Sequence, residues 1–276
     1  MKIGIVGLGL IGASFAKGTK KYTTNQVYGV DLQENVMTQA LEEGAIDGIL
    51  FPDELPSCDL ILLAVRPGAA VEYVKAHPQL KGLVVDLCGV KRAVSGELLE
   101  LARQYGFHYI GGHPMAGREI GGYVNADADL YQGASMILVP HTTLVPEDLL
   151  GYFTALGFTT LRISEDDTHD RILAYTSQLA HIASNAFVKS PTALEHFGYS
   201  ADSLKDLTRV ATLDAQMWTE LFLKNGDYLA RELGGLIREL EKYHVAITSG
   251  DAKALEDLLT EGTEIKAIIY PKKGGS

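Results

Sequence analysis

Lys2-Ile3-Gly4-Ile5-Val6-Gly7-Leu8-Gly9-Leu10-Ile11-Gly12 opens the chain and decides how its first half is read. An apolar run leads straight into Gly7, Gly9 and Gly12 and then into a helical pattern, the order strand, glycine turn, helix. That order suits a dinucleotide pyrophosphate. Gly7 and Gly9 let the backbone turn and approach the phosphates, and Gly12 lets the helix lie close to the strand. The helix beginning at Leu10 and Ile11 aims its first N–H groups at the same phosphates. A second apolar strand, Val27 to Val30, ends in Asp31. Asp31 lies 19 residues beyond Gly12, close to the roughly 20 at which an acid meets the ribose hydroxyls. A carboxylate there accepts from both hydroxyls and repels a 2′-phosphate, so the expected cofactor is NAD rather than NADP. The alternative is a turn aspartate at a strand end.

Outward from this turn, strand and helix patterns alternate. Glu34 to Gly44 reads as helix, Asp59 to Val65 as a buried strand, the stretch after Pro67 as helix, and Leu83 to Leu87 as strand. Helix Ala93 to Tyr105 and strand Phe107 to Ile110 follow, then a long polar segment, strand Ser135 to Val139, helix Glu147 to Leu156 and strand Thr159 to Ile163. This alternation predicts an α/β, Rossmann-like, doubly wound parallel sheet, which binds its ligand at the carboxyl ends of the strands. Val65 and Cys88, at two such ends, join Gly7, Gly9, Leu10, Ile11, Gly12 and Asp31 as candidate cofactor contacts.

After Ser164 the strand-like alternation stops and three or four long helical patterns follow. The expected division is therefore a dinucleotide-binding domain, residues 1–164, and an all-α helical domain, residues 165–276, that binds substrate and dimerises. In the second half Leu229, Leu233, Leu236, Leu240, Tyr243 and Ile247 recur at helical spacing. Their stripe is either the core of a helical bundle or a seam between two subunits. A polar tail, Lys272 to Ser276, is expected to fray.

Composition narrows the function. The 276 residues are 46% hydrophobic and 21% charged, enough for a substantial core and two medium domains. A net charge of −11 gives no basic patch for nucleic acid or an anionic membrane. Cys58 and Cys88 are the only cysteines. They are too few for a secreted disulfide framework and lack metal or redox spacing, which fits a reducing cytoplasm. No metal site, signal peptide or membrane anchor is expected.

The chemically densest segment is Gly111-Gly112-His113-Pro114-Met115-Ala116-Gly117-Arg118-Glu119. Pro114 keeps His113 extended, so the imidazole projects from the end of a strand, on the edge where a nicotinamide lies. A histidine there can take a proton from a substrate hydroxyl near neutral pH; otherwise it is a solvent-facing or structural residue. Arg209 offers a planar fork for a carboxylate, or else makes an exposed helix ion pair with Asp206. Ser177, His181 and Asn185 form a polar stripe on an apolar helix, either an interhelix hydrogen-bond network or a cleft wall.

Taken together, the glycine turn, the GGHPMAGRE segment, Asp206-Leu207-Thr208-Arg209-Val210-Ala211 and Met217-Trp218 resemble the prephenate/arogenate dehydrogenase family of tyrosine biosynthesis, in order and over nearly the whole chain. The resemblance implies an N-terminal NAD(P)-binding domain, a helical dimerisation domain and oxidative decarboxylation of a small-molecule substrate, prephenate or arogenate. It implies that His113 deprotonates the ring hydroxyl and Arg209 binds the ring carboxylate. It also implies that His181 and Glu119 line the substrate pocket, and that Trp218 lies near the active site across a homodimer.

Two departures stand out. The family commonly has a serine, as in DxxSVK, where this chain reads Asp86-Leu87-Cys88-Gly89-Val90-Lys91. The hydrogen bond that this serine gives the catalytic histidine must come here from Cys88, from backbone or from water, or be absent. Ala201 to Lys205 replaces a glycine-rich run with an aromatic, so the loop at the subunit contact is expected to differ. Two other readings are open: a β-hydroxyacid or imino-acid type dehydrogenase with a helical second domain, and a non-enzymatic dinucleotide-sensing module. No appended regulatory domain is expected.

Overall fold

A computed structural model describes residues 1–271; the Lys272–Ser276 tail lies outside the described residues. The chain forms two compact units, Met1–Gly226 and the residues from Asp227 onward.

The first unit is built on an eight-stranded sheet of order β3-β2-β1-β4-β5-β6-β7-β8. Its strands are β1 (Lys2–Val6), β2 (Gln26–Val30), β3 (Gly48–Ile49), β4 (Leu60–Leu63), β5 (Leu83–Asp86), β6 (His108–Pro114), β7 (Ser135–Pro140) and β8 (Thr160–Ile163). The order of the first six reverses between β1 and β4, the crevice where a doubly wound sheet takes a dinucleotide. Helices cover both faces because the strands are apolar on both. In β4, Leu60 and Leu62 pack into one cluster with Phe15, Leu149 and Phe153, while Ile61 and Leu63 pack into the other with Val71, Val74, Val94 and Leu98. The period of two along a strand produces this division. The first cluster receives α1 (Leu10–Tyr22) and α5 (Glu147–Ala155), the second α3 (Pro67–Ala76) and α4 (Arg92–Tyr105). The outlying α2 (Glu34–Glu42) contributes Ala40 to the first.

The sheet is not wholly parallel. β7 runs antiparallel to β6, whereas all the other neighbours are parallel. The polar stretch between them holds only a short 3₁₀ turn, Tyr123–Asn125, and a parallel return is ordinarily made through a crossover helix. This pairing also lengthens β6 beyond its expected end at Ile110: its partners run from Ile110↔Pro140 to Pro114↔Met136. His113 therefore lies within the last residues of β6, opposite Ile137. The other expected strand and helix ends hold to within two residues.

No strand follows β8 among the described residues, so the change of texture at Ser164 marks the start of the helical region. The compact unit nevertheless continues through α6 (Asp166–Leu173), a π-helical turn at Ala174–Leu179, α7 (Ala180–Phe187), α8 (Asp202–Thr208) and α9 (Ala215–Lys224). These elements are tied to the sheet region by polar contacts. Asp170 accepts from Lys91 and Arg92, and Glu220 accepts from the Gly68 N–H at the start of α3.

The second unit is a helical pair, α10 (Gly226–Ser249, all but its first residue) and α11 (Ala252–Ile269). Gly250 turns the chain with φ of +68°. Asp251 then caps α11 by accepting from Ala254 N–H at 2.9 Å. Tyr243 donates to the Leu258 carbonyl across the pair. The apolar stripe is not fully covered in the single chain: Leu229 is buried, but Leu240 and Ile247 are 58% and 63% exposed.

Candidate active site

The glycine turn fits a pyrophosphate. Gly7 has φ of +89°, and a Cβ there would lie 2.5 Å from Val65 Cγ1 and 2.7 Å from the Ala64 carbonyl. A Cβ on Gly12 would lie 1.9 Å from the Gly7 carbonyl, so only glycine lets α1 meet the turn. At Gly9 nothing comes within 4 Å of the same position, and no side chain caps α1. The open side of the turn and the first N–H groups of Leu10 and Ile11 thus form a cradle that no side chain among the described residues fills. Asp31, just past β2, accepts from Leu8 N–H at 2.8 Å and from Gln33 N–H at 3.0 Å. It braces the turn from the end of β2.

At the ends of β5 and β6 the chain buries a charged network. Lys91 and Asp86 are both inaccessible to solvent and form an ion pair, and Lys91 Nζ also donates to the Gly112 carbonyl. Asp86 accepts further from Tyr109 Oη at 2.8 Å and Cys88 N–H at 2.9 Å. A buried pair with this many partners holds the backbone next to His113 in one geometry.

His113 itself is half-buried. Its Nδ1 lies 2.8 Å from Nε2 of His169 on α6, and Nδ1 of His169 lies 2.7 Å from Asp170 Oδ1. His113 Nε2 has no hydrogen-bond partner among the described residues. Burial holds His113 well below the ordinary histidine range, with His169 and the Lys91 ammonium acting in the same direction. Burial also lowers His169, against an opposing hydrogen bond to Asp170. Both rings are therefore neutral near pH 7.

The missing serine is answered by position. A Cβ on Gly89 would lie 3.9 Å from His113 Cε1 and 3.4 Å from Leu221 on α9, so residue 89 does face the histidine but offers it no hydroxyl. The Cys88 thiol does not substitute: it donates to the Val65 carbonyl at 3.5 Å, and burial pushes its pKa well up. The partner that His113 has instead is His169. Neither His169 nor Asp170 was among the expected site residues; the only signal in the sequence is a His-Asp pair in the first turns of the helical region.

The expected substrate residues fall into two groups. His181 on α7 donates from Nδ1 to the Ser177 carbonyl at 2.8 Å and lies tilted against Trp218 of the same chain, ring centroids 4.1 Å apart. Asn185 donates to the Ala211 carbonyl and Ser184 to the Leu207 carbonyl, so α7 holds the segment bearing Arg209. The polar stripe is thus partly an interhelix network, and His181 Nε2 has no partner among the described residues. Arg209 and Glu119 are exposed. Neither makes a hydrogen bond or ion pair among the described residues, and Arg209 is not paired with Asp206.

An unfilled glycine cradle on the same sheet edge as a neutral histidine with one unpartnered nitrogen defines a dinucleotide-dependent dehydrogenase. Residues 15–150 match the prephenate dehydrogenase nucleotide-binding domain and residues 165–261 the prephenate dehydrogenase dimerization domain. The chain belongs to the prephenate dehydrogenase family, and its first domain is of the nucleotide-binding kind.

A prephenate dehydrogenase of Lactococcus lactis subsp. cremoris is 32% identical over 99% of this chain and 78% of its own length. A crystal structure of prephenate dehydrogenase from Aquifex aeolicus, in complex with hydroxyphenyl propionate and NAD+, superposes with a TM-score of 0.82 at 26% identity, covering 98% of each chain. A Synechocystis arogenate dehydrogenase superposes at 0.77 with 25% identity, covering 98% of this chain and 100% of its own.

Proposed function

We propose that this chain oxidatively decarboxylates prephenate or arogenate in tyrosine biosynthesis, with His113 as the base. The observation that carries the reading is the unpartnered His113 Nε2 at the end of β6, on the strand edge that also holds the glycine cradle. NAD, when bound, accepts a hydride from the ring carbon that bears the hydroxyl. Nε2 takes the hydroxyl proton as that carbon becomes a ketone; loss of the ring carboxylate as carbon dioxide then sends the electron pair through the ring, now aromatic, to the ketone oxygen, which regains a proton to leave a phenol. A neutral imidazole is the form that can act, and burial keeps it neutral at pH 7.

Gly7, Gly9, Leu10, Ile11, Gly12, Asp31, Val65 and Cys88 hold the cofactor in this reading. Arg209 pairs with the ring carboxylate through its fork, and it has no other partner among the described residues. His181 Nε2, Trp218 and Glu119 line the rest of the pocket. Residues 1–164 act as the dinucleotide domain and 165–276 as the substrate and dimerisation domain of a cytoplasmic homodimer that binds neither nucleic acid nor membrane. The exposed part of the α10 stripe supports the dimer. The test is turnover of purified protein with prephenate and with arogenate, each with NAD, read as reduced nicotinamide. His113→Asn should keep NAD affinity and lower kcat by about 10² to 10⁴; an unchanged kcat in that variant removes His113 as the base.

A further inference from the structure

Asp170 is wholly buried, and its oxygens accept from two backbone donors, Oδ1 from Lys91 N–H at 2.7 Å and Oδ2 from Arg92 N–H at 2.9 Å. It thereby satisfies the otherwise orphaned first donors of α4, where a carboxylate is favoured by the helix dipole. The same Oδ1 lies 2.7 Å from His169 Nδ1. An acceptor at that distance calls for a donor, so the His169 proton sits on Nδ1. A neutral imidazole carries one N–H, which leaves His169 Nε2 a bare acceptor, 2.8 Å from His113 Nδ1. His113 Nδ1 must then be the protonated nitrogen, and its Nε2 keeps the lone pair.

We propose, on the reading that His113 is the base, that His169 braced by Asp170 is the positioning residue that sets the tautomer of His113 and aims its Nε2 at the substrate hydroxyl. It does so where residue 89 lacks the serine hydroxyl. The carboxylate that holds His169 is itself anchored. Asp170 fixes Nδ1, Asn225 Nδ2 donates to the Asp170 carbonyl at 2.8 Å and to Gln178 Oε1 at 2.8 Å, and Gln178 in turn donates to the Leu221 carbonyl. Asn225 is fully buried and Gln178 nearly so. Gln178 lies in the π-helical turn Ala174–Leu179, an irregularity that recurs at functional sites. When Nε2 takes the substrate proton, the Nδ1–H bond to His169 stays in place and the new charge faces a line of acceptors ending on a carboxylate. Neither ring has to turn. A histidine whose second nitrogen is fixed in this way is a prepared base, and an imidazole in the wrong tautomer is not.

The test uses intact protein labelled with ¹⁵N-histidine and read by imidazole ¹H–¹⁵N correlation without cofactor, alongside steady-state kinetics. His113 should show a protonated Nδ1 and a bare Nε2 in the native protein and in His169→Gln, whose amide oxygen can accept where Nε2 did. In His169→Met the ring should shift toward the Nε2–H form that imidazole otherwise prefers. The kcat should drop at least about 10-fold with KM for substrate and NAD little changed, while His169→Gln stays within a few-fold of native. A native His113 ring protonated on Nε2, or one protonated on Nδ1 whatever residue stands at 169, overturns the assignment regardless of turnover. Native kcat in a folded His169→Met protein overturns it as well. Loss of the base reading has a separate signature, native kcat in His113→Asn.

Discussion

Replacing Asp31 with asparagine isolates what its charge does. Asp31 Oδ2 accepts from Leu8 N–H and Oδ1 from Gln33 N–H. A carboxylate offers about four lone-pair positions, so about two are left for the two hydroxyls of an adenosine ribose. Asparagine keeps the shape and one acceptor oxygen while removing the charge. A 2′-phosphate carries about two negative charges at pH 7. At about 5 Å from the carboxylate it meets a repulsion of about 1.7 kcal/mol at the dielectric constant of water and about 6.6 kcal/mol at an effective value of 20. Leu32, the next residue, is fully exposed, so solvent reaches this edge and the lower figure is the better guide. A repulsion of about 1.4 kcal/mol or more is about tenfold or more in kcat/KM. The native protein should therefore prefer NAD over NADP at least tenfold, and Asp31→Asn should lower the ratio about tenfold. Asp31→Ala should in addition raise KM for both cofactors, because the Leu8 bond that braces the glycine turn is lost. Steady-state kinetics with each cofactor at saturating prephenate reads all three proteins. A native NAD:NADP ratio in Asp31→Asn would refute the electrostatic account, and equal use of both cofactors by the native protein would remove Asp31 from the ribose site.

Three further outcomes are expected. Arg209→Gln should raise KM for the substrate by an amount equivalent to about 1.5 to 3 kcal/mol and leave kcat, NAD binding and Tm near native, because Arg209 has no partner to lose among the described residues; a native KM would leave the ring carboxylate without its cation. Burial holds His113 and His169 below the usual histidine range, so below about pH 6.5 the unfolded chain takes up protons that the folded protein refuses. Stability is present above that pH and is lost as pH falls toward the folded values, at up to about 1.4 kcal/mol per pH unit for each histidine. Urea midpoints between pH 7 and pH 5 should show the fall, and midpoints that stay level or rise would mean that the rings are charged in the folded state. The native protein should sediment near twice 29.8 kDa. Leu240→Glu, at a site already exposed in the single chain, should yield folded monomers, and a variant that still sediments as a dimer would place the interface elsewhere.

The sequence alone determined what depends on local order. The apolar run into Gly7, Gly9 and Gly12 allows little other than a strand, a tight turn and a helix, since a Cβ at Gly12 would collide with the Gly7 carbonyl. Asp31 could be placed by counting, because strand and helix lengths in this unit vary little. Alternating strand and helix patterns sufficed for a doubly wound sheet, and the motif around His113 pointed to the residue with the open nitrogen. The antiparallel turn of β7 was not legible, because pairing direction is set by how a long polar segment packs and leaves no periodic trace. That pairing carried β6 through His113 and put the residue inside the sheet.

The partner of His113 lay further out of reach. His169 is 56 residues away, on a helix whose docking depends on Asp170 finding the N–H groups at the start of α4. Nothing local to Gly89 shows that the space opposite a missing hydroxyl is answered by an imidazole from another helix. Sequence spacing can locate groups that sit on one turn or one strand end. A chain of hydrogen bonds between elements exists only once those elements have packed, and the tertiary structure therefore decided which nitrogen of His113 is free.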